Sequence, residues 1–219
     1  MTELNERLEK QDNEDSVNWL LWCVVGLVVL ILVFAGMVVK SAFFSKEVPR
    51  TAAERDIFLY EGQVERNPKD PLARVNLGMT YFQIGQEGKA IKEFEKAVSL
   101  DSNYAEPHYH LAVIYERKGE IDNALRELKK TVELDSKHDF ACYLLGKIYL
   151  EQDKYEEAIK VLEKCVELKP VSADAHYALG SAYEKNGQKD LAINEYKETL
   201  KYIPNHEEAK KALKRLTAS

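Results

Sequence analysis

Residues 139–172, DFACYLLGKIYLEQDKYEEAIKVLEKCVELKPVS, form a unit that the chain repeats on both sides. At steps of 34 residues, Leu145 is matched by Leu77, Leu111 and Leu179, Tyr149 by Tyr81, Tyr115 and Tyr183, and Ala158 by Ala90, Ala124 and Ala192. The period runs without insertion or deletion from Pro71 to His206. A period of this length excludes one closed globule around a buried cleft. It points to a solenoid, whose units pack on their neighbours and leave an extended concave surface. Function is therefore to be sought in a groove.

The apolar spacing inside each unit is helical. Leu77, Gly78 and Tyr81 stand at i, i+1 and i+4, and Ala90, Phe94 and Ala97 at i, i+4 and i+7, which predicts two helices of roughly 14 residues. Between them lie Gly85, Gly119, Asp153 and Gly187, residue types that tolerate the left-handed conformation closing a helix. The second break carries Asp101-Ser102, Asp135-Ser136, Lys169-Pro170 and Ile203-Pro204. There Pro is expected at a helix start, and Asp or Ser is expected to cap the next helix. Each unit then reads as a helical hairpin. Small residues at Gly78, Ala112, Gly146 and Gly180 are expected to face Ala90, Ala124, Ala158 and Ala192, with Phe94, Leu128, Leu162 and Tyr196 filling the space between successive units.

Leu77-Gly78 to Tyr81, Leu145-Gly146 to Tyr149 and Leu179-Gly180 to Tyr183, each followed by Ala and then by an aromatic residue or Leu, resemble the tetratricopeptide repeat family. Ala112 departs from the pattern, as do Arg74, His108, Cys142 and His176, where an early Trp is often found. The resemblance implies an all-α fold, a right-handed α-solenoid of helical hairpins, with units at 71–104, 105–138, 139–172 and 173–206. Asn67-Pro68 falls in phase with Lys169-Pro170, so 51–70 reads as a degenerate half-repeat opened by a capping box, Thr51-Ala52-Ala53-Glu54. Residues 207–219 read as a capping helix, whose basic residues Lys210, Lys211, Lys214 and Arg215 form a solvated face.

Residues 19–39 contain no charged side chain, and at 1.5 Å per residue such a helix is about 31 Å long, which matches a bilayer core. They are expected to form one transmembrane helix, preceded by an acidic tail, 1–18, and followed by a juxtamembrane linker, 40–50. Lys40, Lys46, Arg50 and Arg55 outnumber Arg7 and Lys10 around it, favouring cytoplasmic repeats. The expected location is thus single-pass in a bacterial inner membrane, with the extracytoplasmic side left open as an alternative.

Other chemistry finds no carrier in the sequence. Residues 51–219 hold 26 basic against 30 acidic residues, a balance of −4 that argues against nucleic acid as a partner. The histidines show no metal-ligand spacing, and no catalytic, cofactor-binding or phosphate-binding motif stands out; no enzyme activity, cofactor or small-molecule substrate is expected. Cys142 and Cys165 fall on the two helices of one unit and are expected to be buried thiols.

A second face of each first helix lies a third of a turn from the packing residues. It comprises Leu72, Val75, Met79 and Phe82, then Tyr109 and Val113, then Phe140, Tyr143, Lys147 and Leu150, then Tyr177. In the resembling family this face lines a concave groove that holds a peptide or helix. The side chains that grip a carboxylate in some members are replaced here by Val75, Met79, His110, Phe140 and Leu144. The expected function is a membrane-anchored scaffold binding partner proteins near the bilayer, with Tyr109, Tyr143 and Tyr177 as a docking row. The alternative implied by resemblance is an extracytoplasmic assembly factor for envelope proteins or cytochromes.

Overall fold

A computed structural model describes residues 25–34 and 51–218. The chain divides into two units, 1–50 and 51–219, each taken by itself. In the first, residues 25–34 form a helix, α1. Among the described residues no helix is long and apolar enough to cross a membrane. This corrects the expected transmembrane helix and the expected single-pass location in a bacterial inner membrane. The rest of the anticipated span, the tail 1–18 and the linker 40–50 lie outside the described residues.

The second unit is a run of antiparallel helices: α2 (Ala52–Arg66), α3 (Pro71–Gln83), α4 (Glu87–Leu100), α5 (Ala105–Arg117), α6 (Ile121–Leu134), α7 (Asp139–Glu151), α8 (Tyr155–Leu168), α9 (Ala173–Lys185), α10 (Lys189–Tyr202) and α11 (Glu207–Thr217). No strand occurs among the described residues. Helices α3–α4, α5–α6, α7–α8 and α9–α10 form hairpins, and each second helix also packs on the next first helix. Successive first helices touch as well, α3 with α5 and α7 with α9. Direct contact between alternate helices marks the tighter, inner layer of the stack.

Each hairpin closes through one left-handed residue: Gly85 at φ 76°, Gly119 at 74°, Asp153 at 57° and Gly187 at 78°. Asp153 tolerates this conformation at some steric cost, and its carboxylate accepts a 2.6 Å hydrogen bond from the Tyr155 hydroxyl. The links between hairpins differ from expectation. Asp101 and Asp135 end α4 and α6, and their carboxylates accept the amides of Asn103 and Lys137, shaping the turn instead of capping the next helix. The N-caps come later in the chain, at Asp70, Tyr104, His138, Ser172 and His206.

Packing inside the hairpins also departs from small against small. A Cβ on Gly78 would stand 2.7 Å from the Phe94 ring, on Gly146 2.5 Å from Leu162, and on Gly180 2.9 Å from Tyr196. In these three hairpins the large residue of the second helix thus lies over the glycine of the first, while Ala90, Ala124, Ala158 and Ala192 are fully buried in all four. Helix α2 meets α3 as other second helices meet the first helix after them. The Tyr81 hydroxyl donates to Glu61 at 2.9 Å, as Tyr183 does to Glu163 at 2.6 Å, and Glu61 and Glu163 share a repeat phase. The capping box at Thr51 and Glu54 is formed.

Candidate functional site

The candidate surface is built on the inner layer. Leu72 on α3 and Phe140 on α7 are its most open apolar side chains, 53% and 57% exposed. Val75 is 3% exposed and belongs to the core beneath. Met79 and Phe82 are half-buried, and the Arg117 guanidinium lies 4.9 Å above the Phe82 ring. Val113 is half-buried on α5. On α7, Leu150 packs against the core, and Lys147 bridges to Glu116 of α5 at 3.2 Å and to Glu151 at 3.6 Å. Burial alone would lower the Lys147 pKa, yet the Glu116 hydrogen bond and the nearby carboxylates hold it above the usual lysine range.

Tyr109, Tyr143 and Tyr177 occupy one repeat phase on α5, α7 and α9, each half-buried against the core. Their hydroxyls make no hydrogen bond among the described residues. Of the tyrosines that face into the stack, Tyr81, Tyr183 and Tyr196 donate to Glu61, Glu163 and Glu184, whereas Tyr115 and Tyr149 make no such bond among the described residues. Burial is the first cause that pushes the hydroxyls of Tyr81, Tyr183, Tyr196 and the row tyrosines above the ordinary tyrosine range. The inner-layer row therefore presents apolar ring bodies with uncommitted polar tips.

The groove phase continues into α11 through Glu208, Lys211 and Arg215, a continuation hidden in sequence by the helix's resemblance to a solvated cap. Arg215 is not merely solvated, because its guanidinium bonds to Glu184, whose other oxygen accepts the Tyr196 hydroxyl. These groups, with Tyr177, Ser181 and Lys185, line an open cavity of about 670 Å³.

The histidines divide into two sets. His108 and His176 lie between the helices of their hairpins, with Nδ1 bonded to Glu127 at 2.7 Å and to Glu195 at 2.6 Å; Arg74 and Glu93 hold the same two positions at 2.8 Å. These are structural pairs. In the third hairpin Cys142 and Val161 stand at those positions, and Cys142 and Cys165 are buried free thiols. His138 and His206 instead cap α7 and α11, their Nδ1 atoms accepting the amides of Ala141 at 3.2 Å and Ala209 at 3.3 Å. Sequence reasoning missed this role; the signal was their shared phase with Asp70 and Ser172. Among the described residues no acidic, His or Cys group is arranged to hold a metal ion.

The family models that match are a TPR repeat over 146–187, a tetratricopeptide repeat over 173–206, and anaphase-promoting complex, cyclosome, subunit 3 over 84–165. No curated protein matches. Among solved structures, one of MamA is 30% identical, with 67% of this chain and 80% of that chain covered and a TM-score of 0.58. MamA from Desulfovibrio magneticus RS-1 is 22% identical, covering 74% and 84%, with a TM-score of 0.59. YrrB, described as a TPR protein with an unusual peptide-binding site, is 21% identical, covering 73% and 82%, with a TM-score of 0.68. Hairpins of this period, the glycine positions that seat their partners, and these matches together show that the chain belongs to the tetratricopeptide repeat family.

Proposed function

We propose that the chain is a non-enzymatic scaffold whose inner layer holds a peptide or a single helix of a partner protein. Direct contacts fall to Leu72, Met79, Phe82, Tyr109, Val113, Phe140, Tyr143, Lys147, Leu150 and Tyr177, with Val75 supporting them from below. The division into a half-repeat 51–70, units at 71–104, 105–138, 139–172 and 173–206, and a cap 207–219 belongs to the same reading. The observation that carries it is the row of three tyrosines in one repeat phase of the inner layer, half-buried and with uncommitted hydroxyls. Tyr81, Tyr183 and Tyr196, facing into the stack, donate to glutamates, whereas Tyr109, Tyr143 and Tyr177 keep their hydroxyls uncommitted. An aromatic body with a free hydroxyl suits an interface that is part apolar and part wet. The peptide-binding site named for YrrB supports this reading by analogy of fold alone.

The test is a photo-crosslinking amino acid placed at Tyr143 in the full-length chain, with Lys160 on α8 as an outer-layer control. Capture of one partner segment, mapped by mass spectrometry, is expected from position 143 and not from 160. Equal capture from both positions, or none from 143, would overturn the reading.

A further inference from the structure

Two of the three row tyrosines rest on a histidine that caps the next first helix. Tyr109 packs on His138 with ring centroids 4.5 Å apart, and Tyr177 on His206 at 4.6 Å. Both histidines accept a backbone amide at Nδ1. A ring nitrogen can accept only while it carries no proton, so both caps require the neutral imidazole with its proton on Nε2. Resting on the docking reading above, we propose that His138 and His206 make the tyrosine row pH-dependent: protonation cancels both caps and unseats Tyr109 and Tyr177, leaving Tyr143, whose neighbouring cap is Ser172, in place.

The surroundings set what a protonated ring would meet. Around His138, α5 supplies Glu106, Tyr109 and His110, and α7 supplies Asp139. Glu106 is the nearest carboxylate to His138 Nε2, at 3.9 Å, and also lies 3.7 Å from His110 Nε2. Nε2 of His138 is buried without a hydrogen-bond partner. The proton already on Nε2 thus has no acceptor within bonding distance, and a second one, on Nδ1, would face the Ala141 amide. Burial pushes the pKa of His110 down, Glu106 opposes it, and His138 adds a smaller push in the same direction as burial. Around His206, α9 supplies Tyr177 and α11 supplies Glu208, whose carboxylate stands 3.4 Å from Nδ1. There the protonated ring has a replacement partner, and turning toward it abandons the Ala209 amide. Each cap as built needs an unprotonated Nδ1, so a proton there works against the seated position of the ring.

The experiment uses the full-length chain with fluorotyrosine at positions 109, 143 and 177 and labelled histidine, followed by NMR from pH 8 to pH 5.5. At pH 8 both rings are expected as the Nε2–H tautomer. On acidification the signals of positions 109 and 177 are expected to move or broaden while that of 143 stays fixed. The variant H138N/H206N keeps an N-capping side chain that does not titrate, and should abolish the movement. An Nδ1–H tautomer at pH 8, equal movement at all three tyrosines, or unchanged movement in the variant would overturn the proposal; should the variant fail to fold, the wild-type tautomers decide alone. No partner is needed for this readout, so its failure is separate from a failure of crosslinking at Tyr143.

Discussion

Gly146 and Leu162 show how a single atom governs the third hairpin. A methyl group at Gly146 would stand 2.5 Å from Leu162 Cγ, inside any tolerable contact, whereas Ala112 in the same phase has its methyl accommodated and is fully buried. Gly146→Ala is expected to cost about 1–3 kcal/mol in chemical denaturation, because a packed interior answers added volume with strain. Adding Leu162→Ala should recover part of that loss, and purely additive effects would show that the two side chains do not meet. Tyr81 gives a second expectation at this scale. Burial and the Glu61 carboxylate push its pKa up to about 12, from 10.0. Native chains therefore keep a proton that unfolded chains release, and stability falls from about pH 10 toward pH 12. Tyr81→Phe should flatten that alkaline slope in denaturation curves.

Hairpins are where most of the fold was legible. The positive-φ links at Gly85, Gly119, Asp153 and Gly187 followed from residue type and spacing, since few other residues adopt that conformation. The N-caps did not, because His138 and His206 act through one ring nitrogen whose role depends on tautomer and on a neighbouring tyrosine, and neither is written in local sequence. Similarly, Arg215 looked like one more solvated charge until α9 brought Glu184 beside it. The inner-layer positions could be listed by phase, yet burial of Val75 depended on how α2 and α3 meet. The cysteines supply an expectation for α7 and α8. Burial pushes the Cys165 thiol up to about 12 and raises Cys142 as well. Both should react with a thiol reagent far more slowly in folded chains than in denaturant; equally fast labelling in the two states would contradict the packing.

For the molecule as a whole, the tyrosine row separates docking from folding. Replacing Tyr109, Tyr143 and Tyr177 with Ala is expected to abolish crosslinking through position 150 while the helical circular-dichroism signal remains, since interface aromatics commonly cost about 2 kcal/mol or more each. Loss of folding with binding retained in the surviving fraction would assign the rings to packing alone.

The third hairpin lacks the polar pair that Arg74 and Glu93, His108 and Glu127, and His176 and Glu195 supply to the others, because Cys142 and Val161 hold those places. Burial works to raise the pKa of Glu93, but hydrogen bonds from Lys96 and Arg74 outweigh it and hold the carboxyl below its usual range, so this pair stabilises at neutral pH and weakens as acid protonates it. At these two places the third hairpin has no such bond to lose; at its edge burial works to raise the pKa of Asp139, but the Lys169 hydrogen bond at 3.0 Å outweighs it and holds that carboxyl low. Units that touch only their neighbours can fail one at a time. Acid should accordingly loosen different units at different joints, the first hairpin between its helices at Glu93 and the third only at its edge, by Asp139, so amides beside Leu77 and Phe94 are expected to exchange with solvent before those beside Leu145 and Leu162.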